Sequence, residues 1–362
     1  MMQVLHVMSR MSPGGTEHQL VRMLEAAHCR HWEATLCVLH AGSDLTSTVR
    51  AAGVPVIELN GNGIGDIRRA AALRRLASRH DVVHSSLPGA SAFARLTTAG
   101  PSRPAMVVSE RASDDHRTLL QVVNRLLRGV TDAFIGNSSA VVDFLRRTSG
   151  ISADDPRLAV IPNGLDGEVF HSASRPSRRE GGPWRLVAVG RLIQSKRFDR
   201  AVSLLPRLRE SHDAELVIVG DGPERRRLEI QAQHQPVRFL GHVAERHVLA
   251  DALRASDVLL MPSMSEGYPN AVLEALACGT PVVASDIPGN RALAGAGVHL
   301  VDNDEDLLRS TRAALDEGPL KPGLVADRVL SFDEVARRHL AVFEAALARR
   351  ASIVRRPVAA NP

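Results

Sequence analysis

Four charged side chains in the second half of the chain have the types and spacing that a phosphorylated, polyhydroxylated ligand requires. Arg191 and Lys196 lie five residues apart, on one loop that follows an apolar segment. Two cations across one loop can grip a diphosphate from both sides and compensate its charge as it departs. Glu266 and Glu274 lie within 266–285, which reads as a loop, a short amphipathic helix and a buried strand. Acidic groups and helix N-terminal N–H donors at a sheet edge are typical of ligand sites in α/β proteins.

The rarity of lysine makes Lys196 more informative than a basic residue usually is. Nearly all of the basic charge is arginine, and Lys196 and Lys321 are the only lysines. A lysine at a loop-to-helix junction therefore indicates that a compact ammonium group is required there. The alternative is that Arg191 and Lys196 are simply solvated. The position of Arg191 at a strand end favours ligand binding over that alternative.

Two other segments have weaker ligand-binding patterns. Gly14 and Gly15 follow the first apolar segment and open a helix, where the backbone can approach an anion closely. An ordinary strand-to-helix turn is the alternative, because the full dinucleotide fingerprint is absent. Residues 302–306 contain an Asp-x-Asp match, but they directly precede a helix and are predicted to cap it. The histidines and cysteines have no spacing typical of a metal site.

Short apolar segments alternate with helix-period segments, which predicts an α/β protein with mostly parallel sheets. The apolar segments are continuous Val, Ile and Leu runs, typical of strands buried on both faces. Strands are predicted at 4–8, 34–39, 55–59, 82–84, 106–109, 133–136, 159–161, 185–189, 215–219, 237–240, 258–261, 281–284 and 298–301. Helices are predicted at 16–27, 67–79, 197–209, 224–233, 245–254, 270–277, 305–316 and 333–349.

The length of the chain predicts two domains. A chain of 362 residues exceeds one typical core. The segment 171–183 is rich in Ser, Arg, Gly and Pro and is predicted to be an interdomain linker. The predicted Rossmann-like domains are therefore 1–170 and 184–332. The helix 333–349 has no strand after it and is predicted to pack back on the N-terminal domain. Loops are predicted at 61–65, 85–91 and 112–117.

The composition is that of an ordinary globular protein, with 44% hydrophobic and 23% charged residues. The net charge of +5 and the pI of about 9.8 suit anionic lipid head groups or phosphorylated substrates. Nucleic-acid binding is disfavoured, because the aromatic residues that form stacking platforms are only 3% of the chain. No apolar run is long enough to span a bilayer, and the first residues lack the basic start of a signal peptide. Three cysteines fit a reducing cytoplasm.

These features occur together and in order in one known family. The chain resembles the retaining GT-B-fold glycosyltransferases of the glycosyl transferases group 1 family, which build bacterial polysaccharides and glycolipids. The resemblance extends over nearly the whole chain. It depends on the segments 14–15, 137–139, 161–164, 190–196, 220–223, 239–241 and 266–285. Each segment alone is unspecific, but the ordered set is highly specific.

The resemblance implies a GT-B fold, in which two Rossmann-like domains face each other across a cleft. It implies that Arg191 and Lys196 hold the donor diphosphate and that Gly15 approaches it from the first domain. Glu274 would accept hydrogen bonds from the ribose hydroxyls. Glu266 would meet the transferred sugar, together with the backbone of Gly267, Tyr268, Pro269 and Asn270. Arg191, Lys196 and Glu266 are thus the implied catalytic residues.

The implied reaction transfers a hexose from a nucleotide-diphosphate sugar, with UDP as the expected nucleotide, to a saccharide or polyprenyl-linked glycan. The anomeric configuration would be retained, with no metal or other cofactor, and the departing phosphate would help to deprotonate the acceptor. The expected location is the cytoplasm, with peripheral contact to anionic lipid at the inner face of the plasma membrane.

The chain departs from the family pattern at two positions on the acceptor side. Arg111 and Ser86 stand where many relatives carry histidine, and an arginine cannot accept a proton at neutral pH. Arg111 would instead contact an anionic acceptor such as a lipid diphosphate. The departure also leaves open a catalytically silent GT-B binding or scaffold protein. A sugar-nucleotide epimerase with a related two-domain fold is the other alternative.

Overall fold

A computed structural model of the protein describes residues 1–12, 14–42, 45–60, 66–111, 118–173, 181–324 and 329–354. The chain forms two units. Unit 1 comprises the chain up to Gly164 together with the part that begins at Leu330, and unit 2 comprises Leu165–Val329. This division falls a few residues before the sequence-based boundaries at 170 and 332. The loops predicted at 61–65 and 112–117, and residues 174–180 of the predicted linker, lie outside the described residues.

Unit 1 is built on a seven-stranded parallel sheet. Its strands are β1 (Gln3–Met8), β2 (Glu33–Val38), β3 (Val56–Glu58), β4 (Val82–Ser86), β5 (Ala105–Glu110), β6 (Ala133–Gly136) and β7 (Leu158–Val160). The strand order is β3-β2-β1-β4-β5-β6-β7, so the direction of succession reverses between β1 and β4. The connecting helices are α1 (Gly15–Ala27), α2 (Leu45–Ala51), α3 (Ile67–Ala77), α4 (Pro88–Thr98), α5 (Thr118–Leu126) and α6 (Ser139–Ser149).

Unit 2 repeats this Rossmann-like arrangement on a six-stranded parallel sheet. Its strands are β8 (Trp184–Val189), β9 (Ala214–Val219), β10 (Val237–Gly241), β11 (Val258–Met261), β12 (Val282–Ser285) and β13 (Val298–Val301). The strand order is β10-β9-β8-β11-β12-β13, with the reversal between β8 and β11. The helices are α7 (Phe198–Leu208), α8 (Arg225–Gln231), α9 (Arg246–Arg254), α10 (Asn270–Ala277), α11 (Pro288–Arg291) and α12 (Asp304–Glu317).

Both faces of each sheet are buried, which is why the strands read as continuous apolar runs. In β1, Val4 and Met8 pack into the core on one face of the sheet, and Leu5 and Val7 pack into the core on the other. Unit 2 likewise has a separate apolar cluster on each face of its sheet. Helices cover both faces, as a parallel sheet requires.

The last helix, α13 (Phe332–Val354), belongs to unit 1 and packs against α1. Its residues Val335, Ala336, Phe343 and Ala346 are buried in the same core as Val4 and Met8. The prediction that the terminal helix packs back on the N-terminal domain is therefore confirmed.

The predicted strands are confirmed within two residues at each end, whereas the set of predicted helices is less complete. Sequence periodicity did not predict α2, α4, α5, α6 or α11. The predicted loop at 85–91 is wrong, because β4 continues to Ser86 and α4 begins at Pro88. Only Leu87 intervenes, with an unusual positive φ of 72°.

The segment 302–306 caps a helix, as predicted. The side chain of Asn303 accepts a hydrogen bond from the backbone N–H of Asp306 at 2.9 Å, at the start of α12. Among the described residues, no His, Cys, Asp or Glu side chains cluster in a way that would hold a metal ion. No helix within the same residues has the length and apolar character needed to cross a bilayer.

Candidate functional site

Three of the four charged residues singled out from the sequence lie at one edge of the sheet of unit 2. Arg191 and Lys196 follow β8, and Glu266 follows β11. These two strands are direct neighbours, with Leu259 opposite Val187, and the succession of strands reverses between them. In open α/β sheets, ligands bind outside the carboxyl ends of the strands at such a reversal. The topology therefore brings these residues to the expected binding edge.

The loop between β8 and α7 is shaped by a residue in the left-handed region. Gln194–Lys196 form a single 3-10 turn, and Arg197 then adopts φ 50° and ψ 40° before α7 begins. This conformation is uncommon for a residue with a side chain. It ends the turn at once, so that Lys196 lies at the mouth of α7. Arg191, at the start of the loop, is exposed.

Lys196 forms an ion pair with Glu266. The distance from Lys196 Nζ to Glu266 Oε1 is 2.5 Å, and the two side chains are 22% and 11% exposed. The two loops are also joined through their backbones, because Met264 N–H donates to the Ser195 carbonyl at 2.8 Å. The cation and the carboxylate thus belong to one connected structure, in a position that solvent still reaches.

Glycines allow the neighbouring loops to press against this structure. A Cβ at Gly289 would lie 2.0 Å from the Glu266 carbonyl oxygen, and a Cβ at Gly220 would lie 1.9 Å from that of Gly190. No real Cβ tolerates such contacts. Gly220 also has a φ of +138°, which side chains rarely adopt. The loops after β8, β9, β11 and β12 are therefore in backbone contact around Lys196 and Glu266.

The backbone groups predicted to meet the transferred sugar lie between Glu266 and α10. Gly267, Tyr268 and Pro269 are buried, and Pro269 is the N-cap residue of α10. Pro269 has no N–H, so it offers only its carbonyl, which accepts from Leu273 N–H at 3.3 Å. Burial raises the pKa of Tyr268. Asn270, partly buried, is the first residue of the helix.

Glu274 lies one turn further along α10 and is buried, with a side chain 5% exposed. Its Oε1 accepts a hydrogen bond from Arg246 Nη2 at 2.5 Å. Arg246 is the first residue of α9. Sequence reasoning missed this arginine, because nothing in the local pattern around it distinguishes it from the other arginines of the chain.

Gly15 is the first residue of α1, with Gly14 as the N-cap residue. A Cβ at Gly14 would lie 2.6 Å from a carboxylate oxygen of Glu17. Both glycines belong to unit 1. The approach of Gly15 to a donor diphosphate stays a prediction.

The two acceptor-side residues lie on adjacent strands of unit 1. Ser86 is the last residue of β4, is buried, and stands opposite Ser109 of β5. Arg111 directly follows β5, and its Nη1 donates to Asn163 Oδ1 at 2.7 Å. The structure thus places both at the carboxyl edge of the sheet. Their role toward an acceptor stays a prediction.

The charge of Arg111 is compensated by nearby acidic groups. Burial lowers the pKa of Arg111 to about 10, whereas the negative charges of Glu17 and Glu110 act in the opposite direction. The backbone N–H of Arg111 also donates to Glu110 Oε1 at 3.0 Å. The positive charge of Arg111 at this edge is therefore partly balanced by two carboxylates.

A buried histidine network lies beneath this edge and was not predicted. Trp32 Nε1 donates to His6 Nε2 at 3.2 Å, so the neutral His6 ring carries its proton on Nδ1. That proton is donated to His84 Nδ1 at 2.9 Å, and His84 Nε2 then donates to Ser109 Oγ at 2.6 Å. The indole N–H therefore sets the tautomer of both rings. The only sequence signal was a histidine within each of two buried apolar strands.

Burial keeps these histidines neutral. It lowers the pKa of His6 to about 3 and that of His84 well below its usual value. His339 of α13 lies against His84, with ring centroids 5.6 Å apart. Burial lowers the pKa of His339 to about 4, although its hydrogen bond to the Val335 carbonyl acts in the opposite direction.

Comparison with known protein families agrees with this architecture. A family model described as "Glycosyl transferases group 1" matches residues 183–317, within unit 2. A second model, "Glycosyltransferase Family 4", matches residues 13–169. Together the two matches extend over most of both sheets. Each half of the chain thus contains a glycosyltransferase domain, and the domain in unit 2 is of the glycosyl transferases group 1 family. The resemblance seen in the sequence is confirmed, and both matched models are glycosyltransferase domains.

Curated relatives are named as sugar transferases. A "GDP-mannose-dependent alpha-(1-6)-phosphatidylinositol dimannoside mannosyltransferase" of Mycobacterium tuberculosis is 40% identical over 131 residues, which is 34% of each chain. The similarity thus spans about a third of that relative's length. The phosphatidyl-myo-inositol mannosyltransferase of the same species is 29% identical over 93% of this chain and 89% of its own length.

Solved structures of GT-B glycosyltransferases share the fold. HepE of Anabaena, in complex with UDP and glucose, has a TM-score of 0.75 at 18% sequence identity. The alignment covers 98% of this chain and 99% of the HepE chain. The lipopolysaccharide outer core galactosyltransferase WaaB has a TM-score of 0.72 at 18% identity, with 97% of this chain and 100% of its own covered. At such identities the likeness concerns the fold alone.

Proposed function

We propose that this member of the family transfers a hexose from a nucleotide-diphosphate sugar to a saccharide or lipid-linked acceptor, with retention of configuration and without a metal. The observation that carries the proposal is the ion pair between Lys196 and Glu266 at the strand reversal of unit 2. A cation and a carboxylate in contact at this edge match the two parts of a sugar diphosphate.

In this proposal Lys196 and Arg191 bind the donor diphosphate. Lys196 is paired with Glu266, and its side chain is 22% exposed. A diphosphate would therefore exchange one anionic partner of Lys196 for another. After this exchange, Glu266 Oε1 can accept a hydrogen bond from a hydroxyl group of the transferred sugar. Arg191, exposed at the strand end, supplies the second cation.

The proposed step breaks the bond between the anomeric carbon and the diphosphate oxygen. The bonding electrons leave with the phosphate, and Lys196 and Arg191 stabilise the developing charge. The acceptor oxygen attacks the same face of the sugar, and its proton passes to the departing phosphate. This route suits a chain with Arg111 at the acceptor-side position, because it requires no protein base there.

The donor is proposed to be a UDP-hexose, as the family resemblance implies. GDP-mannose is the second candidate, because a relative 40% identical over part of its length is named as GDP-mannose-dependent. Both nucleotides present the diphosphate and ribose for which Lys196, Arg191 and Glu274 are proposed. They differ only in the base and the sugar.

The acceptor is proposed to be saccharide or polyprenyl-linked, at the surface of an anionic membrane. Support comes from α5, which follows the acceptor-side strand β5. Val122 and Leu126 lie one turn apart on this helix and are 49% and 77% exposed, and Arg125 and Arg128 beside them are exposed. Exposed apolar side chains flanked by arginines suit the interface of an anionic bilayer.

The test is a transfer assay with UDP-glucose, UDP-galactose and GDP-mannose and a mixed pool of lipid-linked acceptors, read by mass spectrometry. At least one donor is expected to give a glycosylated product, whose anomeric configuration NMR would show to match the donor. Transfer should persist in EDTA. Lys196→Met should lower kcat by about a hundredfold or more, the effect of removing one preorganised charge from a transition state.

Lys321→Met is the matched control, because Lys321 is the other lysine and is exposed. It should leave kcat unchanged. Both variants should keep the circular-dichroism spectrum of the parent. If the kcat of Lys196→Met stays within twofold of the parent value, the assignment of Lys196 to the donor site is wrong.

Two outcomes of the same assay would favour the alternatives. A catalytically silent scaffold would give no product, and calorimetry would detect no binding of UDP, GDP or their sugars. An epimerase would release an altered nucleotide sugar in the absence of acceptor. The departure at Arg111 is the observation that motivates the scaffold alternative.

A further inference from the structure

The side chain of Arg246 is held between an aromatic ring and a buried carboxylate. Its guanidinium carbon lies 4.7 Å from the centroid of the Phe170 ring. Phe170 is 2% exposed and belongs to the core of unit 2. Arg246 Nη2 lies 2.5 Å from Glu274 Oε1, and the side chains of Arg246 and Glu274 are 40% and 5% exposed. The guanidinium is thus fixed on a rigid ring and bound to the carboxylate.

We propose that Arg246 is a positioning residue that orients Glu274 to bind the ribose hydroxyls of the donor nucleotide. The inference depends on the proposed function, because it presupposes that Glu274 contacts ribose. Arg246 would act through Glu274 and not on the reacting atoms. It adds to the site a residue that neither the sequence pattern nor the family resemblance assigns.

The hydrogen bond from Arg246 restricts the orientation of the Glu274 carboxylate. The terminal torsion of a glutamate is broad, so an isolated carboxylate rotates with little cost. To accept hydrogen bonds from two vicinal hydroxyl groups, the carboxylate must be rotated so that its plane faces both of them. The bond to Arg246 fixes that plane, because Phe170 holds the guanidinium in turn. A carboxylate accepts about four hydrogen bonds, so Glu274 can hold Arg246 and both hydroxyls at once.

Arg246 also balances the negative charge of Glu274. Glu274 is buried, and a buried carboxylate without a partner is costly. It would also repel the diphosphate of a nucleotide bound at the same edge. Arg246 compensates this charge while its own side chain stays partly in solvent. A neutral, oriented carboxylate–guanidinium pair therefore suits ribose better than Glu274 alone.

The competing explanation is that the pair merely joins α9 to α10. The two explanations differ in whether Arg246 affects the recognition of a single ribose hydroxyl. Calorimetry with UDP and 2′-deoxy-UDP, and with GDP and 2′-deoxy-GDP, gives the ratio of the Kd of the deoxynucleotide to the Kd of the nucleotide. This ratio is measured for the parent protein, Glu274→Gln and Arg246→Met. The nucleotide that binds more tightly to the parent is used throughout.

Loss of the 2′-hydroxyl should weaken binding to the parent about tenfold, as expected for a hydrogen bond to a charged group. In Glu274→Gln the ratio should fall to about twofold, because the charged acceptor is gone. In Arg246→Met it should fall similarly, although Glu274 is still present. Arg207→Met is the matched control, because Arg207 is 44% exposed and is ion-paired to Glu305. It should keep the tenfold ratio.

The outcomes separate the inference from the proposed function. If Arg246→Met keeps the tenfold ratio while Glu274→Gln loses it, Arg246 has only a structural role and the inference is wrong. If Glu274→Gln also keeps the ratio, Glu274 does not bind ribose and the site assignment fails. Arg246→Lys keeps the charge but lacks the planar guanidinium that lies over Phe170, and it provides a second test, should Arg246→Met fold poorly. Its ratio should lie between those of the parent and Glu274→Gln, and a full tenfold ratio there would contradict the orientation argument.

Discussion

The buried histidines of unit 1 predict a steep loss of stability in mild acid. His6 and His339 have pKa values lowered by burial to about 3 and about 4 in the folded protein, against 6.5 for a free histidine. The unfolded chain therefore binds more protons than the folded chain at every pH between these values. The free energy of unfolding therefore has its full value above the unfolded pKa of 6.5. It decreases as the pH falls toward the pKa values of the two histidines in the folded protein.

The size of the effect follows from the same pKa values. On going from about pH 7.5 to about pH 5, each histidine spends about 1.5 pH units below its unfolded pKa, at about 1.36 kcal/mol per unit. Each of the two therefore removes about 2 kcal/mol, and together they remove about 4 kcal/mol. His84, with a pKa lowered in the same direction, adds to this loss. Such a loss is a large share of the stability of a typical domain.

Urea unfolding at the two pH values, followed by Trp32 fluorescence, measures this change in the free energy of unfolding. Trp32 reports on the histidines because its indole is hydrogen-bonded to His6. A Trp184→Phe background leaves Trp32 as the only tryptophan. His339→Gln should reduce the change in the free energy of unfolding between the two pH values by about 2 kcal/mol. The matched control is His247→Gln, at an exposed histidine, which should leave this change unaltered. Unfolding free energies that agree within about 1 kcal/mol at the two pH values would refute the reasoning.

Two further predictions concern packing at the site and the membrane. Gly289→Ala should displace the Glu266 carbonyl, which would lie 2.0 Å from the new Cβ, and should lower kcat about tenfold or more. Gly129→Ala, where nothing lies within 4 Å, should be silent, and equal activity in both variants would contradict the close-packing argument. Leu126→Glu should reduce co-sedimentation with phosphatidylglycerol vesicles several-fold. Ile230→Glu, at a residue 65% exposed on unit 2, should not, and equal losses would show that any added charge has the same effect.

The strands were predictable because their signal is local. Each parallel strand is buried on both faces, so it reads as a short apolar run between turn residues. The helices α4 and α5 were not predicted, although α4 begins with Pro88 and has an amphipathic pattern. Its start follows β4 after a single residue, Leu87, so the sequence offers no turn segment between them. Local patterns fail where two elements join without a loop.

The charged residues of the site were predictable in type but not in pairing. Lys196 and Glu266 are 70 residues apart in the chain and meet because β8 and β11 are neighbours. The pairing of Glu274 with Arg246 depends similarly on how α9 packs beside α10. The spacing of residues in the sequence indicates which charged groups are available, whereas only the packing of strands and helices determines which of them are in contact.

The sequence by itself determined the two α/β domains, the family and the loop cations, because apolar periodicity and ordered motifs are properties of neighbouring residues. Only the tertiary structure decided the partners of Glu266 and Glu274 and the neutral state of His6, His84 and His339. These depend on burial and on contacts between distant segments. A pKa is set by the dielectric and the charges around a group, and no local pattern contains that information.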